Sequence, residues 1–215
     1  MQHIYLHGFA SSPNSNKARY IKKCFADNKI NLRIPDLNNG DFSRLTITRQ
    51  KKQVAAHIES TNAPVTLIGS SLGGLTAVHL GEKLPMVQRL VLLAPAFGFL
   101  SHWLTKLGEE KIQRWEKEKY LMVYHYKEER EVPLNYDFLT DAAQYSEDIL
   151  QRPIPTLILH GKNDEVIPIE ASRDFVRQRP WVKLVELDSD HSLGDVLPQI
   201  WKEIHSFCQY SRYSY

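Results

Sequence analysis

Residues 65–80 constrain the fold more than any other stretch. Val65-Thr66-Leu67-Ile68 is a short apolar run rich in strand formers, and Leu75-Thr76-Ala77-Val78-His79-Leu80 reads as a helix. Between them lies Gly69-Ser70-Ser71-Leu72-Gly73-Gly74, a G-x-S-x-G pattern. A serine at the centre of such a strand-to-helix turn sits on a sharp, strained bend, with its hydroxyl projecting from the sheet edge. Ser71 holds that central position. Gly69 and Gly73 remove side chains that would collide across the turn, and Gly74 lets the following helix pack closely.

The rest of the chain repeats the same alternation. Gln2 to Leu6 is a short strand ending in His7-Gly8-Phe9. A polar turn at 11–15 offers several helix caps, and Ala18, Ile21, Cys24 and Phe25 then recur at helical spacing. Leu32 to Ile34 is a second strand, and Pro35 marks it as an edge or an end. Ile47, Val54, Ala55 and Ile58 define one helix face. Leu90 to Ala94 is continuous and apolar, as a parallel strand covered on both sides should be. Thr156 to Leu159 leads into His160-Gly161-Lys162-Asn163-Asp164, and Val182 to Leu187 into Asp188-Ser189-Asp190-His191-Ser192. A last helix carries Val196, Ile200, Ile204, Phe207 and Cys208 on one side, and 211–215 read as a frayed tail.

Strands alternating with helices imply an α/β fold: a mostly parallel six-stranded sheet with helices on both faces. One interruption breaks the rhythm. Residues 98–150 hold no clear buried strand, are dense in charge and are dotted with aromatics such as Trp103, Trp115, Tyr136 and Phe138. They are expected to form a helical cap inserted into a single domain spanning 1–215.

Composition enters by exclusion. The formal net charge of +2 is too small to argue for nucleic acid or an anionic membrane. The uncharged run from 60 to 81 is broken by Asn62, Pro64, four glycines and two adjacent serines, so no stable membrane insertion is expected. Cys24 and Cys208 are far apart and read as buried helix thiols in a reducing compartment. The sequence opens directly on a strand, with no signal-type apolar run. No cysteine spacing suggests a metal site.

In a parallel sheet ligands sit at the carboxyl ends of the strands, so chemistry is sought there. A serine hydroxyl needs a base, and imidazole has a pKa near neutrality. Of nine histidines, only His7, His160 and His191 lie at or just past strand ends. His191 follows the last strand in a polar turn and is the expected base. His7 and His160 read as partners of local backbone. The imidazole needs a carboxylate, and Asp164 is chosen. Asp190 is adjacent to His191 and reads as a turn former, with Asp36 and Glu165 as weaker rivals. The oxyanion of an acyl-transfer intermediate needs preorganised donors. Those expected are the backbone N–H of Leu72 and of Phe9.

With Ser71, Asp164 and His191 in that chain order, the whole length resembles the α/β-hydrolase superfamily. The resemblance rests on His7-Gly8-Phe9, Gly69 to Gly74, His160 to Asp164 and Asp190-His191-Ser192, each at a strand end. The opening from Leu6 to Ala18 is similar to the small bacterial YqiA/YcfP-type esterases. That resemblance implies a compact, cytoplasmic carboxylester hydrolase. The expected reaction is two-step acyl transfer on a small-molecule ester or thioester, with no metal or organic cofactor and no nucleic-acid partner. The same residues would also serve an acyltransferase, a peptidase or a carbon–carbon bond hydrolase, and the fold could persist in a non-catalytic binding protein.

Overall fold

The computed structural model describes residues 1–60 and 63–210; the expected tail at 211–215 lies outside them. In chain order the elements are β1 (Gln2–Leu6), α1 (Asn16–Asp27), β2 (Leu32–Arg33), α2 (Ile47–Glu59), β3 (Val65–Ser70), α3 (Leu72–Lys83) and β4 (Val87–Leu93). Then come α4 (Phe99–Leu107), α5 (Glu109–Glu118), β5 (Tyr120–His125), β6 (Arg130–Asn135) and α6 (Asp137–Ala142). The chain ends with β7 (Thr156–Gly161), α7 (Ile169–Arg177), β8 (Val182–Leu187) and α8 (Leu197–Tyr210). Six strands form one sheet in the order β2-β1-β3-β4-β7-β8, every neighbouring pair parallel.

Strand periodicity divides the core in two. Ile4, Leu6, Leu67, Leu90, Leu92 and Ile158 face one side, where Val54 and Ile58 of α2, Val78 of α3 and Phe175 of α7 cover them. Tyr5, Ile68, Val91, Leu93, Leu157 and Leu159 face the other, under Ile21 and Phe25 of α1 and Ile200 and Ile204 of α8. Alternate residues therefore serve opposite cores, as the pleat dictates. Burying a Leu or Ile this completely is worth about 1.5–3 kcal/mol each, so the sheet centre contributes heavily to the stability of the fold. Pro35 does follow a short edge strand: β2 is two residues long and flanks only β1.

The segment 98–150 departs from expectation. Helices α4, α5 and α6 are present, but between them β5 and β6 form an antiparallel hairpin with Val123 opposite Val132 and Leu121 opposite Leu134. Residues 126–129 form its turn, with Glu129 in the left-handed region at φ 52°. One hairpin face is buried: the Trp115 indole N–H of α5 donates to the Leu134 carbonyl at 2.9 Å. The other presents Tyr120, Met122 and Tyr124 to solvent. Alternating exposed tyrosines and inward aliphatics concealed the strand period, and the flanking Lys and Glu imitated a helix. Cys24 and Cys208 are helix thiols, half-buried rather than buried. No helix among the described residues is long and apolar enough to cross a membrane.

Candidate active site

Ser71 lies between β3 and α3 with φ 51° and ψ −119°. A non-glycine residue in that region is strained and persists only where its surroundings impose it. They do so here. The Ser71 N–H donates to the Leu93 carbonyl at 2.9 Å, and the Ala96 N–H donates to the Ser71 carbonyl at 3.1 Å. The turn is tight enough to require its glycines: a Cβ on Gly69 would strike the Gly73 carbonyl oxygen, and one on Gly73 the Leu6 carbonyl oxygen. The neighbouring Ser70 is buried and pairs with the Tyr5 phenol. Only Ser71 presents its hydroxyl to the cleft.

The His191 ring meets Ser71 Oγ through Nε2 at 3.2 Å and Asp164 Oδ2 through Nδ1 at 2.7 Å. A carboxylate only accepts, so Nδ1 carries the proton and Nε2 is free to accept from the serine. The loop carrying His191 is held from below. Leu193 is fully buried with φ 55°, and Ser189 hydrogen-bonds Asp195. Gly161 lets the loop close, since a Cβ there would strike the Ser189 carbonyl oxygen.

Asp164 has no exposed side-chain surface. Its Oδ1 accepts from the Val166 and Ile167 N–H groups at 2.9 and 2.8 Å. Burial raises its pKa, but hydrogen bonds from His160 and His191, the His191 charge and the Ile167 N–H together outweigh burial and hold the carboxyl well below the usual range. Asp190 instead accepts from the Ser192 N–H and hydroxyl at 2.8 and 2.7 Å and shapes the turn. Asp36 lies 3.7 Å from His7, and the Glu165 carbonyl accepts from Lys106 Nζ.

Two residues near Ser71, Asp164 and His191 do more than the sequence reading gave them. His160 is not merely a backbone partner. Its Nε2 lies 3.1 Å from Asp164 Oδ2 and 3.0 Å from the Ile167 carbonyl, while Nδ1 lies 2.7 Å from Ser172 Oγ. Two pure acceptors at Nε2 fix the proton there, and the Ser172 hydroxyl donates to Nδ1. The spacing of His160 and Asp164 within one turn was the available signal. Lys17 sits in the field of Asp164 and Asp190; burial pushes its ammonium down to about 8, against the pull of both carboxylates. No motif marked it. His7 behaves as a backbone partner: its Nδ1 lies 3.0 Å from the Gly8 carbonyl, and its Nε2 accepts from the Leu37 N–H at 3.0 Å.

The N–H groups of Phe9 and Leu72 have no acceptor among the described residues. Leu72 also opens α3, where the helix dipole favours negative charge. Beside Ser71 is a cavity of about 260 Å³ walled by Phe9, Phe99, Trp103 and Phe138, with Lys106 and Tyr126 at its rim. The rings pack at centroid distances of 5.4 Å (Phe9–Phe138), 5.8 Å (Phe9–Trp103) and 5.9 Å (Trp103–Phe138). Among the described residues no group of three or more His, Cys, Asp or Glu side chains could hold a metal ion.

Comparison with known proteins agrees with this architecture. The profile of the Uncharacterised protein family (UPF0227) matches residues 2–209, and the chain belongs to that family. A Mycoplasma genitalium protein named "Putative esterase/lipase 2" is 28% identical over 137 residues, 54% of this chain and 51% of that protein. The chain thus spans about half the length of the curated relative it matches. Among solved structures, mouse alpha/beta hydrolase domain-containing protein 10 superimposes with a TM-score of 0.79 at 21% identity, over 97% of this chain and 90% of that one. Est1E from Butyrivibrio proteoclasticus, solved with ferulic acid bound, gives 0.82 at 20% identity, over 96% and 87%. Paleococcus ferrophilus monoacylglycerol lipase gives 0.71 at 17% identity, over 96% and 94%. The fold is that of the α/β-hydrolases.

Proposed function

We propose that this member of the UPF0227 family is a serine hydrolase that cleaves carboxylic esters or thioesters through an acyl-enzyme. One observation carries the reading: a single imidazole within hydrogen-bond reach of both the Ser71 hydroxyl and the buried Asp164 carboxylate. Ser71 Oγ attacks the carbonyl carbon while His191 Nε2 takes its proton. Asp164 holds the ring in the required tautomer and stabilises the imidazolium. The carbonyl oxygen gains negative charge and is held by the Phe9 and Leu72 N–H groups. The intermediate collapses, the leaving group takes the proton from His191, and water repeats the sequence on the acyl-enzyme to release the acid.

The aromatic cavity supports the choice of substrate. It is apolar and close to the small end of the range for ligand sites, about 300–1,000 Å³. A compact acyl or aryl group fits there better than a long chain. The ferulic acid in Est1E and the names of the other relatives favour the same reaction class. Residues 98–150 act as a cap, since Phe99, Trp103, Lys106, Tyr126 and Phe138 all come from that segment.

A fluorophosphonate probe and a panel of p-nitrophenyl esters test the reading. The wild-type chain is expected to label and turn over, and Ser71→Ala to do neither, with a loss on the order of 10⁵-fold. His191→Ala should lose nearly as much activity at unchanged melting temperature. Esters of acetate, butyrate and phenylacetate should be preferred to palmitate. A wild-type chain inert to both probe and esters would overturn the proposal.

A further inference from the structure

The reaction leaves unused two residues at the tip of the inserted hairpin. Their neighbourhood is unusual: Tyr126 is 72% exposed, yet the preceding His125 is 1% exposed. Burying an imidazole costs desolvation that an aliphatic side chain of similar size would avoid. Apart from bonds within the hairpin and the Tyr124–Tyr126 ring contact, the contacts of these two residues lead toward one loop, the segment 8–12 after β1.

The Tyr126 N–H donates to the Ala10 carbonyl at 3.0 Å. The Asn38 amide nitrogen donates to the Ser11 carbonyl at 2.8 Å and meets His125 Nε2 at 3.3 Å. The Ser11 carbonyl fixes Asn38 Nδ2 as a donor, so His125 Nε2 accepts and the ring proton lies on Nδ1. Burial, which lowers the His125 pKa, favours that neutral ring. The His125 ring also stands edge-on to Phe42 at 4.9 Å, and Phe42 edge-on to Phe9 at 5.4 Å. Between these contacts Ala10 is held at φ 49°, a left-handed conformation that a non-glycine residue keeps only under constraint.

We infer that the hairpin tip is a clamp on the oxyanion loop. His125 is a positioning residue. Acting through Asn38 on Ser11 and through Phe42 on Phe9, it fixes the backbone that aims the Phe9 N–H at the substrate carbonyl. Tyr126 adds the bond to Ala10 and, with its ring, edges the acyl cavity. One inserted element therefore shapes the substrate seat and sets the donor that stabilises the intermediate. The inference rests on the reading of Phe9 as an oxyanion donor.

The test uses the full chain with His125→Leu, His125→Gln, Asn38→Ala and the double variant His125→Leu/Asn38→Ala. Amide hydrogen exchange is read over 7–12 and, as a control, over 70–75. His125→Leu should speed exchange in 7–12 by about tenfold or more and leave 70–75 unchanged. His125→Gln, whose side-chain oxygen can accept from Asn38, should restore it to within about threefold. In p-nitrophenyl butyrate turnover, kcat should fall roughly 10- to 100-fold with KM nearly constant, less than the full loss of an oxyanion donor, about 10²–10³. The double variant should be no worse than the worse single one. Unchanged exchange at 7–12 in a folded variant, a loss confined to KM, or additive losses would each overturn the clamp. Should His125→Leu fail to fold, Asn38→Ala carries the same expectations and the same refutation. A wild-type chain inert to esters would defeat the hydrolase reading, while the exchange result would still decide whether the tip holds the loop.

Discussion

Two regions meet at Ser71, and their residues are held in place by different means. The parallel sheet supplies Ser71 and Asp164 from the ends of β3 and β7, whose side chains are buried throughout, and His191 from beyond β8, the partly exposed edge strand. The inserted segment 98–150 adds Phe99, Trp103, Lys106, Tyr126 and Phe138 to the cavity wall from short helices and one hairpin, with Tyr120, Met122, Tyr124 and Tyr126 left facing water. In the proposed mechanism Ser71, Asp164 and His191 must agree to within fractions of an ångström, which strand ends anchored in a packed sheet can provide. A substrate seat needs only shape and apolar surface, so a two-stranded hairpin braced on helices suffices.

The largest effect that could break this contrast lies in the sheet region. Asp164→Asn should lower kcat/KM on the order of 10⁴-fold, because His191 would settle in the wrong tautomer. Asp190→Asn should cost only a few-fold, since that carboxylate folds the turn and does not face the ring. Equal losses in the two variants, measured on one ester, would mean that the turn and not the tautomer sets activity.

In the insertion the expected losses are of stability. Phe138 is 1% exposed and touches Phe9, Phe99 and Trp103. Phe138→Ala should destabilise the fold by about 3–5 kcal/mol in urea unfolding. A loss below about 1 kcal/mol would show the aromatic cluster to be loosely packed.

The joint between the regions should answer to pH. His79 of α3 is buried edge-on to Tyr145 of the insertion at 4.8 Å, while the Tyr145 hydroxyl meets Thr48 Oγ1 of α2 at 2.6 Å. Burial, with Lys51 adding repulsion, pushes the His79 pKa down to about 4. In the unfolded chain it is about 6.5, so on acidification the unfolded chain takes up the proton first. The stability at stake is fully present above pH 6.5 and is lost as pH falls toward 4, by up to about 3 kcal/mol. His79→Gln should flatten the dependence of melting temperature on pH across that window. An unaltered slope would place the acid sensitivity elsewhere.

The smallest effect is expected on the outer face of the hairpin. Tyr124→Ser alters an exposed side chain and should change stability by no more than about 0.5 kcal/mol, with ester turnover unaffected.

The same contrast explains what could be read from the sequence. Sheet strands buried on both faces leave unbroken apolar runs such as Leu90 to Ala94, and each ends in a residue type rare enough to stand out. The hairpin is half-exposed, with Tyr and Met outside, Leu and Val inside and Pro133 within β6. Its apolar residues fall on both faces, which erases the two-residue period, while Lys and Glu in the turn imitate a helix. His160 carried a signal in its spacing from Asp164. His125, Asn38 and Phe42 carried none, because 87 residues separate the first two.

By itself the sequence determined the alternation of strands and helices, the position of the serine turn and the order of Ser71, Asp164 and His191. Those follow from local periodicity, from glycines where backbones collide and from the short list of side chains able to move a proton. Only the tertiary structure decided which second histidine backs Asp164, how residues 98–150 fold and what holds the loop carrying Phe9. Each of those depends on contacts between segments distant in the chain, and a contact of that kind leaves no period behind.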